Sequence, residues 1–451
     1  MTAEERIRLF ENIPVGEAVR RQVVPAVISQ MIALIYNLAD TYFVGLLNAP
    51  AETAAVTVAY APFLMLTAIA NLFGVGGAGA LSRALGVHDE RAAGKISSLS
   101  FWCGLLAAGA YSLFFFLLSA PILHLAGATE ETMHAASGYT RWVIILGGIP
   151  SALSILLSNL VRAEGNAKTA SFGVSLGGML NILLDPFFIL PQFFELGAVG
   201  AGLATALSNS VSMLYLLSFV LRKKNGSVIT ISAKQLHRSG KYLRTILTIG
   251  IPSALQYGLT VVAVAAQAKF VSEYPTQAVA ALGITKKLDQ LPLYFSIGVS
   301  AGLLPLLAYH HSAGNQQRRR DSFRIGIMIS LLFSLFCLIV YEAFAPQLAS
   351  LFIQDAVTVK YAASFLRSMV TAMPLMSVCY PMIIQFQAMK RTKESLVCSV
   401  LRKGVLDIPL LFLMGSFYPL YGLMWVQPIV DAVSLIVCIL FYQNLKKQNL
   451  A

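Results

Sequence analysis

Runs of about twenty apolar residues recur from one end of the chain to the other, and they restrict the possible folds more than any other feature. A helix needs roughly 20 such residues to cross ~30 Å of hydrocarbon. Inside lipid the backbone must satisfy its own hydrogen bonds, so only helices and closed barrels can span. Barrel strands are ~10-residue segments of alternating polarity, which these continuous runs are not. Composition agrees, since 57% of residues are hydrophobic and 12% charged, against roughly 25% charged in a soluble domain. The expected fold class is an all-α, polytopic membrane protein.

Reading on span length predicts twelve transmembrane helices, near residues 23–46, 54–83, 98–118, 138–162, 169–190, 197–221, 246–272, 278–309, 324–346, 362–389, 394–413 and 420–443. The connections after even-numbered helices are basic. They carry Arg91 and Lys95, Arg162 and Lys168, then a run from Arg222, Lys223 and Lys224 to Arg244, then Arg318, Arg319 and Arg320, then Lys390, Arg391 and Lys393. Connections after odd-numbered helices have almost none, Lys360 being the main exception. Positive loops stay cytoplasmic, so both termini are expected inside a plasma (inner) membrane. This one-sided distribution also accounts for the net charge of +12 without nucleic acid as a partner. The five cysteines fall in apolar stretches and read as small buried hydrophobes. The charged start MTAEERIRLFENIP lacks a small-residue cleavage site, so no cleaved signal peptide is expected.

The sequence repeats. Residues 24–44 align without gaps to 251–271, pairing Pro25 with Pro252, Phe43 with Phe270 and Val44 with Val271. Further on, Pro150 matches Pro374, Pro186 matches Pro409 and Gly200 matches Gly422. Six helices per copy predict two pseudo-symmetric six-helix bundles, residues 1–221 and 245–451, joined by a basic cytoplasmic linker at 222–244. Transporters commonly hold substrate near mid-membrane between such repeats.

Ionisable residues inside spans are costly and functional by default. The first half has Asp40 on helix 1 and Asp185 on helix 5, with Asn181 one turn before Asp185 and Thr205 on helix 6. At 1.5 Å rise per residue, all four lie roughly 8–12 Å below the outer surface. One acid alone could merely cap or pair locally. Two at matched depth, with no Lys or Arg at that level in helices 1, 5 or 6, suggest an oxygen-rich pocket for Na⁺ or a shared proton. Pro25 and Pro186, in the same helices, are candidate hinges.

The second half differs. Gln267 replaces Asp40 and Gln427 replaces Thr205, while Lys269, Lys286, Lys287, Asp289, Arg402, Lys403 and Asp407 lie in or near spans. Helical spacing would pair Lys269 with Glu273, Lys286 with Asp289 and Lys403 with Asp407. That leaves Lys287 and Arg402 without local partners. If these line a cavity, its substrate carries an anionic group. Further cavity candidates are Tyr36, Asn37, Met65, Gln256, Tyr294 and Gln385, though such side chains are more often packing.

DTYFVG at 40–45, RAEGNAKTA at 162–170, NILLDP at 181–186 and GAVGAGLATALSN at 197–209 resemble the multidrug and toxic compound extrusion (MATE) family, in its MepA-like bacterial branch. The resemblance covers nearly the whole chain. It implies two lobes around a central cavity and antiport of drugs against Na⁺ or H⁺. It also implies a coupling site from the acid of the first motif, the Asn and Asp of NxxxDP and a helix-6 Thr, which are Asp40, Asn181, Asp185 and Thr205 here. Members with acids on helices 7 and 10 differ from this chain, which has Gln256, Gln267, Gln385 and Gln387 there.

The expected function is secondary active efflux of small amphipathic molecules by a monomer, with no cofactor beyond the coupling ion. The alternative is a lipid-linked saccharide flippase using Lys287 and Arg402 to hold a pyrophosphate, although such flippases usually have more spans. An enzyme is disfavoured, since the six histidines lie mostly in loops or near span ends.

Overall fold

The computed structural model describes residues 2–47, 49–222 and 226–448, so Lys223 and Lys224 of the predicted linker lie outside the described residues. Among the described residues nine helices are long and apolar enough to cross a membrane, two bent pairs add one span each, and a broken pair at 392–417 makes twelve spans. They are α1 (Val15–Gly45), α2 (Pro50–Gly86), α3 (Glu90–Leu117), the pair Glu130–Leu146 and Gly148–Ala163 as α4, α5 (Ala167–Ile189), α6 (Gly197–Leu221), α7 (Leu243–Val271), α8 (Thr276–Ser312), α9 (Gln316–Ser350), the pair Ala356–Val370 and Ala372–Ala388 as α10, the pair Thr392–Val400 and Asp407–Phe417 as α11, and α12 (Tyr421–Lys447). The two halves of α4 meet at 49° and those of α10 at 42°. There is no strand among the described residues.

Several helices outrun their apolar cores. The span expected from 98 begins at Glu90, where the Asp89 carboxylate accepts the Ala92 N–H and caps the helix. Such ends need no hydrophobicity because they stand in water. The lipid-facing side is legible as exposed apolar stripes: on α9, Met328, Leu332, Phe336 and Ile339 follow one another at helical spacing. Pro25 and Pro186 leave α1 and α5 unbroken, although each removes one backbone donor.

The spans form two bundles, α1–α6 and α7–α12. Between them α1 packs along α8 and α2 along α7, a reciprocal exchange expected of repeated halves, while α1 barely touches α2 and α7 barely touches α8. The approach is closest in the half of each helix nearer the basic loops. Gly250 of α7 lies against the backbone of Leu72 and Gly76 of α2 against the carbonyl of Ile246, so a side chain at either would strike main chain. Gly298 and Gly302 of α8 press on Val27 and Val23 of α1 in the same way. Small residues let backbones approach and gain dispersion contact where no hydrophobic force drives helices together. Arg83 of α2 adds a hydrogen bond to the Ala388 carbonyl of α10 at 2.9 Å. The bundles are therefore sealed on the basic side and part on the other.

The amino-terminal segment closes the same side. Its Arg6, 4% exposed, pairs with Glu164 at 3.2 Å and with Glu90, both in the first bundle. Four residues on, Phe10 stacks on Tyr309 of α8 with centroids 4.5 Å apart, and the Tyr309 hydroxyl donates to Glu11 at 2.5 Å. Arg318 then donates to the Ile13 carbonyl at 2.7 Å. One short segment thus ties the first bundle to the second. The linker is a strap rather than a loose tether: the Val228 N–H and Ser227 hydroxyl also donate to Glu164, and Trp102 donates to the Ile231 carbonyl.

Removing one partner of a buried ion pair strands the other charge. Arg6→Ala should cost about 3 kcal/mol and lower the thermal unfolding midpoint of the detergent-purified protein. An unchanged midpoint would mean that Arg6 does not hold the segment down.

Candidate functional site

The first bundle buries a set of oxygen atoms with too few donors. Asp185 is fully buried on α5, and Asn181, one turn earlier, turns its amide toward it. The Asn181 Nδ2 donates to Asp185 Oδ1 at 3.1 Å and reaches Thr205 Oγ1 of α6 at 3.5 Å. Thr205 and Asp40 line one cavity, and the Asp40 carboxylate interacts electrostatically with that of Asp185. All four side chains are less than 9% exposed. No Lys or Arg among the described residues comes within ion-pairing distance of either acid.

The satisfied bonds leave a residue of one kind. Asp40 Oδ1, Asn181 Oδ1 and Asp185 Oδ2 are buried without a protein hydrogen-bond partner. All three are acceptors. Buried polar groups are normally paired, and leaving a charged one unpaired is expensive. What would complete this set is a cation or a proton, and a wholly oxygen donor set suits a hard cation.

The cavity, about 290 Å³, lies between the bundles on the side away from the basic loops. Tyr36, Asn37 and Asp40 of α1, Tyr60 and Phe63 of α2, Tyr139 of α4, and Lys287, Gln290 and Tyr294 of α8 contribute to its wall. A larger depression of about 870 Å³ lies among α9, α10 and α12, beside Glu342, Arg367 and Trp425, and shares no residue with this cavity.

Of the cavity residues expected from sequence, Tyr36, Asn37, Lys287 and Tyr294 line it together. Others lie elsewhere. Met65 is 42% exposed outside that lining, and Gln256 and Gln385 are buried in the second bundle. Gln267 donates to the Leu423 carbonyl at 3.1 Å. Arg402, 1% exposed, lies within 3.0 Å of Asp431 on α12 and stacks over the Tyr380 ring at 4.1 Å. That ion pair is close but not aligned as a hydrogen bond. Asp431 was missed by the sequence reading because its partner is 29 residues away, beyond any local spacing rule.

The second bundle carries the counterpart of the four-residue set in altered form. Gln427 lies 222 residues after Thr205, and Lys403 and Asp407 lie within one residue of the counterparts of Asn181 and Asp185, since Pro186 and Pro409 are 223 apart. With Gln267, the partner of Asp40, these surround a residual void of about 10 Å³. The Lys403 ammonium donates to Gln427 at 2.7 Å, and Gln427 donates to Asp431 at 2.9 Å. The expected Lys403–Asp407 pair does not form. Instead α11 breaks: Lys403 is extended and Gly404 takes φ 114°, a left-handed backbone open to glycine. The freed Gly404 N–H then donates to Asp407 at 2.6 Å. No ion pair forms between Lys286 and Asp289 or between Lys269 and Glu273 either. Where one bundle has unpartnered acceptors, the other has a lysine built in.

The family model described as MatE matches residues 25–187 and again 252–413. The chain belongs to the MatE family. Its two matched segments open at Pro25 and Pro252, the first pair of the internal repeat, so the family relation and the duplication are the same fact seen twice. Among curated relatives, the multidrug export protein MepA of Staphylococcus saprophyticus is 28% identical over 98% of this chain and 97% of its own length. MepA of Staphylococcus aureus (strain MRSA252) gives 28% over the same shares. Among solved structures, an outward-facing multidrug resistance MATE family transporter of the MOP superfamily superposes with TM-score 0.90 at 24% identity, covering 98% of this chain and 97% of that one. A MOP superfamily transporter from Pyrococcus furiosus, described as having a binding pocket of reversed polarity, gives 0.88 at 24% identity over the same shares. At that identity the structures establish the fold, and the MatE architecture has twelve membrane helices.

In this MatE protein the second-bundle network has a structural consequence. Asp431→Asn leaves Arg402 buried against Tyr380 without a counter-charge and should destabilise the protein by about 3–5 kcal/mol. Thermal unfolding in detergent measures it, and a loss below about 1 kcal/mol would place the pair among those that contribute little.

Proposed function

We propose that this protein exports small amphipathic molecules across the plasma membrane by antiport against Na⁺ or H⁺, with the coupling site at Asp40, Asn181, Asp185 and Thr205. The single observation that carries the reading is the trio of buried acceptors without donors, on and beside two carboxylates that no basic side chain among the described residues neutralises. Family membership and relatives named as multidrug exporters support the transport class. The protein works as a monomer with both termini in the cytoplasm, as the basic loops favour.

The mechanism follows from the two ends of the bundle interface. The basic side is closed by glycine contacts and the amino-terminal segment, so the cavity faces outward. From there a cation reaches Asp40 through the cavity that Asp40 itself lines. Neutralising the acids removes their mutual repulsion and the cost of burying bare charge, so α1 and α5 close on one another. Substrate held beside Asp40 loses its attraction and leaves outward. When the bundles rock to open the basic side, the cation escapes to the cytoplasm and the ionised acids again favour substrate. Coupling requires only that each ligand prefers a different state. Pro25 and Pro186, which each delete one backbone hydrogen bond beside the acids' helices, lower the cost of bending.

The flippase alternative drew on Lys287 and Arg402 as a pair of cavity cations. With Arg402 engaged by Asp431 and Tyr380, Lys287 is left as the cavity's basic residue.

In reconstituted vesicles, Asp40→Asn and Asp185→Asn should each reduce gradient-driven dye efflux at least about tenfold, the effect of some 1.4 kcal/mol, while the protein remains monodisperse. Varying Na⁺ and pH independently identifies the ion. Efflux at the original rate in both variants would end the proposal.

A further inference from the structure

Cation coupling does not use every charge in the interbundle cavity. Lys286 and Lys287 are neighbours on α8 and point apart, as successive helical side chains do. Lys286 enters the second-bundle network beside Lys403 and Asp407, while Lys287 lines the cavity with Asp40. Among the described residues no carboxylate comes within ion-pairing distance of Lys287. Asp40 supplies the cavity's negative charge from α1, and it too has no basic partner. The cavity thus presents an ammonium from α8 and a carboxylate from α1, neither within ion-pairing distance of an opposite charge among the described residues. Tyr36, Tyr60 and Tyr294 lie in the same lining.

A cleft with low-dielectric walls concentrates the field of such charges. A purely cationic substrate would meet attraction from Asp40 and repulsion from Lys287. A purely anionic one would meet the reverse whenever Asp40 is ionised, the condition under which an exporter must load. A molecule carrying both signs satisfies both walls. From this we infer that the preferred substrate is a compact aromatic zwitterion, its acidic group on Lys287, its ammonium at Asp40 and its ring among the tyrosines. At about 290 Å³ the cavity is at the small end of ligand pockets, suited to a ring system rather than a long-chain lipid.

The arrangement also explains exchange. The ammonium of the substrate and the coupling ion compete for Asp40, so the two cannot be bound there together, whereas Lys287 engages the substrate alone. Lys287 therefore sets which molecules are carried without entering the coupling step. This inference rests on the exporter reading of the same cavity and adds the substrate class.

Naphthylalanine, its methyl ester and its N-acetyl derivative share one fluorescent body as zwitterion, cation and anion. In vesicles containing the full chain, the zwitterion should be exported with the lowest KM of the three. Lys287→Gln should raise the zwitterion's KM by roughly ten- to a hundredfold, the worth of one charge-assisted hydrogen bond, and leave or improve export of the ester. Lys287→Arg should restore the zwitterion, which a merely structural role for the lysine would not require. The inference is overturned if the ester matches the zwitterion in wild-type protein, if Lys287→Gln changes all three alike or none, or if none of the three binds or is carried. A parallel panel of unrelated dyes separates the two ideas. Gradient-driven dye efflux without zwitterion preference defeats only the substrate assignment, whereas no gradient-driven efflux of any compound defeats the exporter reading beneath it.

Discussion

A carboxylate taken out of water and shielded from lipid must find a positive charge or a proton, and this requirement organises both halves of the molecule. The second bundle meets it internally. Arg402 and Lys403, adjacent on a broken α11, reach Asp431 and Gln427, and the Gly404 amide caps Asp407. At the corresponding site the first bundle shows no such donor among the described residues: Asn181 stands within one residue of the position of Lys403, and its amide can offer Asp185 only a neutral hydrogen bond. The same duplicated framework therefore carries built-in counter-charges on one side and unpartnered acceptors on the other. On the proposed function, a tethered ammonium in place of a mobile ion would take the second half out of the coupling cycle.

That division of labour fits the packing between bundles. Contact is made where glycines allow main chain to touch main chain, near the basic loops, and it is reciprocal: α1 on α8, α2 on α7. Beside these contacts Ile249 and Leu304 pack on Gly79, so the seam is apolar and close-fitting. The larger side chains stand at its ends, with Phe10 stacked on Tyr309 at the closed end and tyrosines lining the cavity at the other. The amino-terminal segment is tied to Glu164, which also receives the strap between the halves. A single buried carboxylate thus links the segment that crosses the seam to the connection between the two bundles.

Much of this was legible in the sequence, and what was not shares a cause. Span number followed from apolar length and from the alternation of basic loops, because lipid leaves the backbone few alternatives. The acids stood out because nothing local neutralises them. Charges in the second half were harder, since helical spacing suggested Lys403 with Asp407 and Lys286 with Asp289, yet the backbone breaks at Gly404 and the partners come from α12. Nothing within four residues of Arg402 announces Asp431. The bends in α4 and α10 and the burial of Phe10 by Tyr309 likewise depend on contacts far apart in the chain, which periodicity does not record. Helix ends were placed too far inward, as at Glu90, because the helices continue past the apolar runs that hydropathy reports.

On the proposed coupling, the carboxyl groups of Asp40 and Asp185 change their own state when the ion binds. Infrared difference spectra of the bilayer-reconstituted protein, taken between low and high Na⁺ and between acid and alkaline pH, observe carboxyl groups directly. A carboxylate or carboxylic acid band should respond to one of these ions and be lost from the spectrum when either aspartate becomes asparagine. A spectrum in which the ion-dependent carboxyl bands persist unchanged in both variants would contradict that coupling.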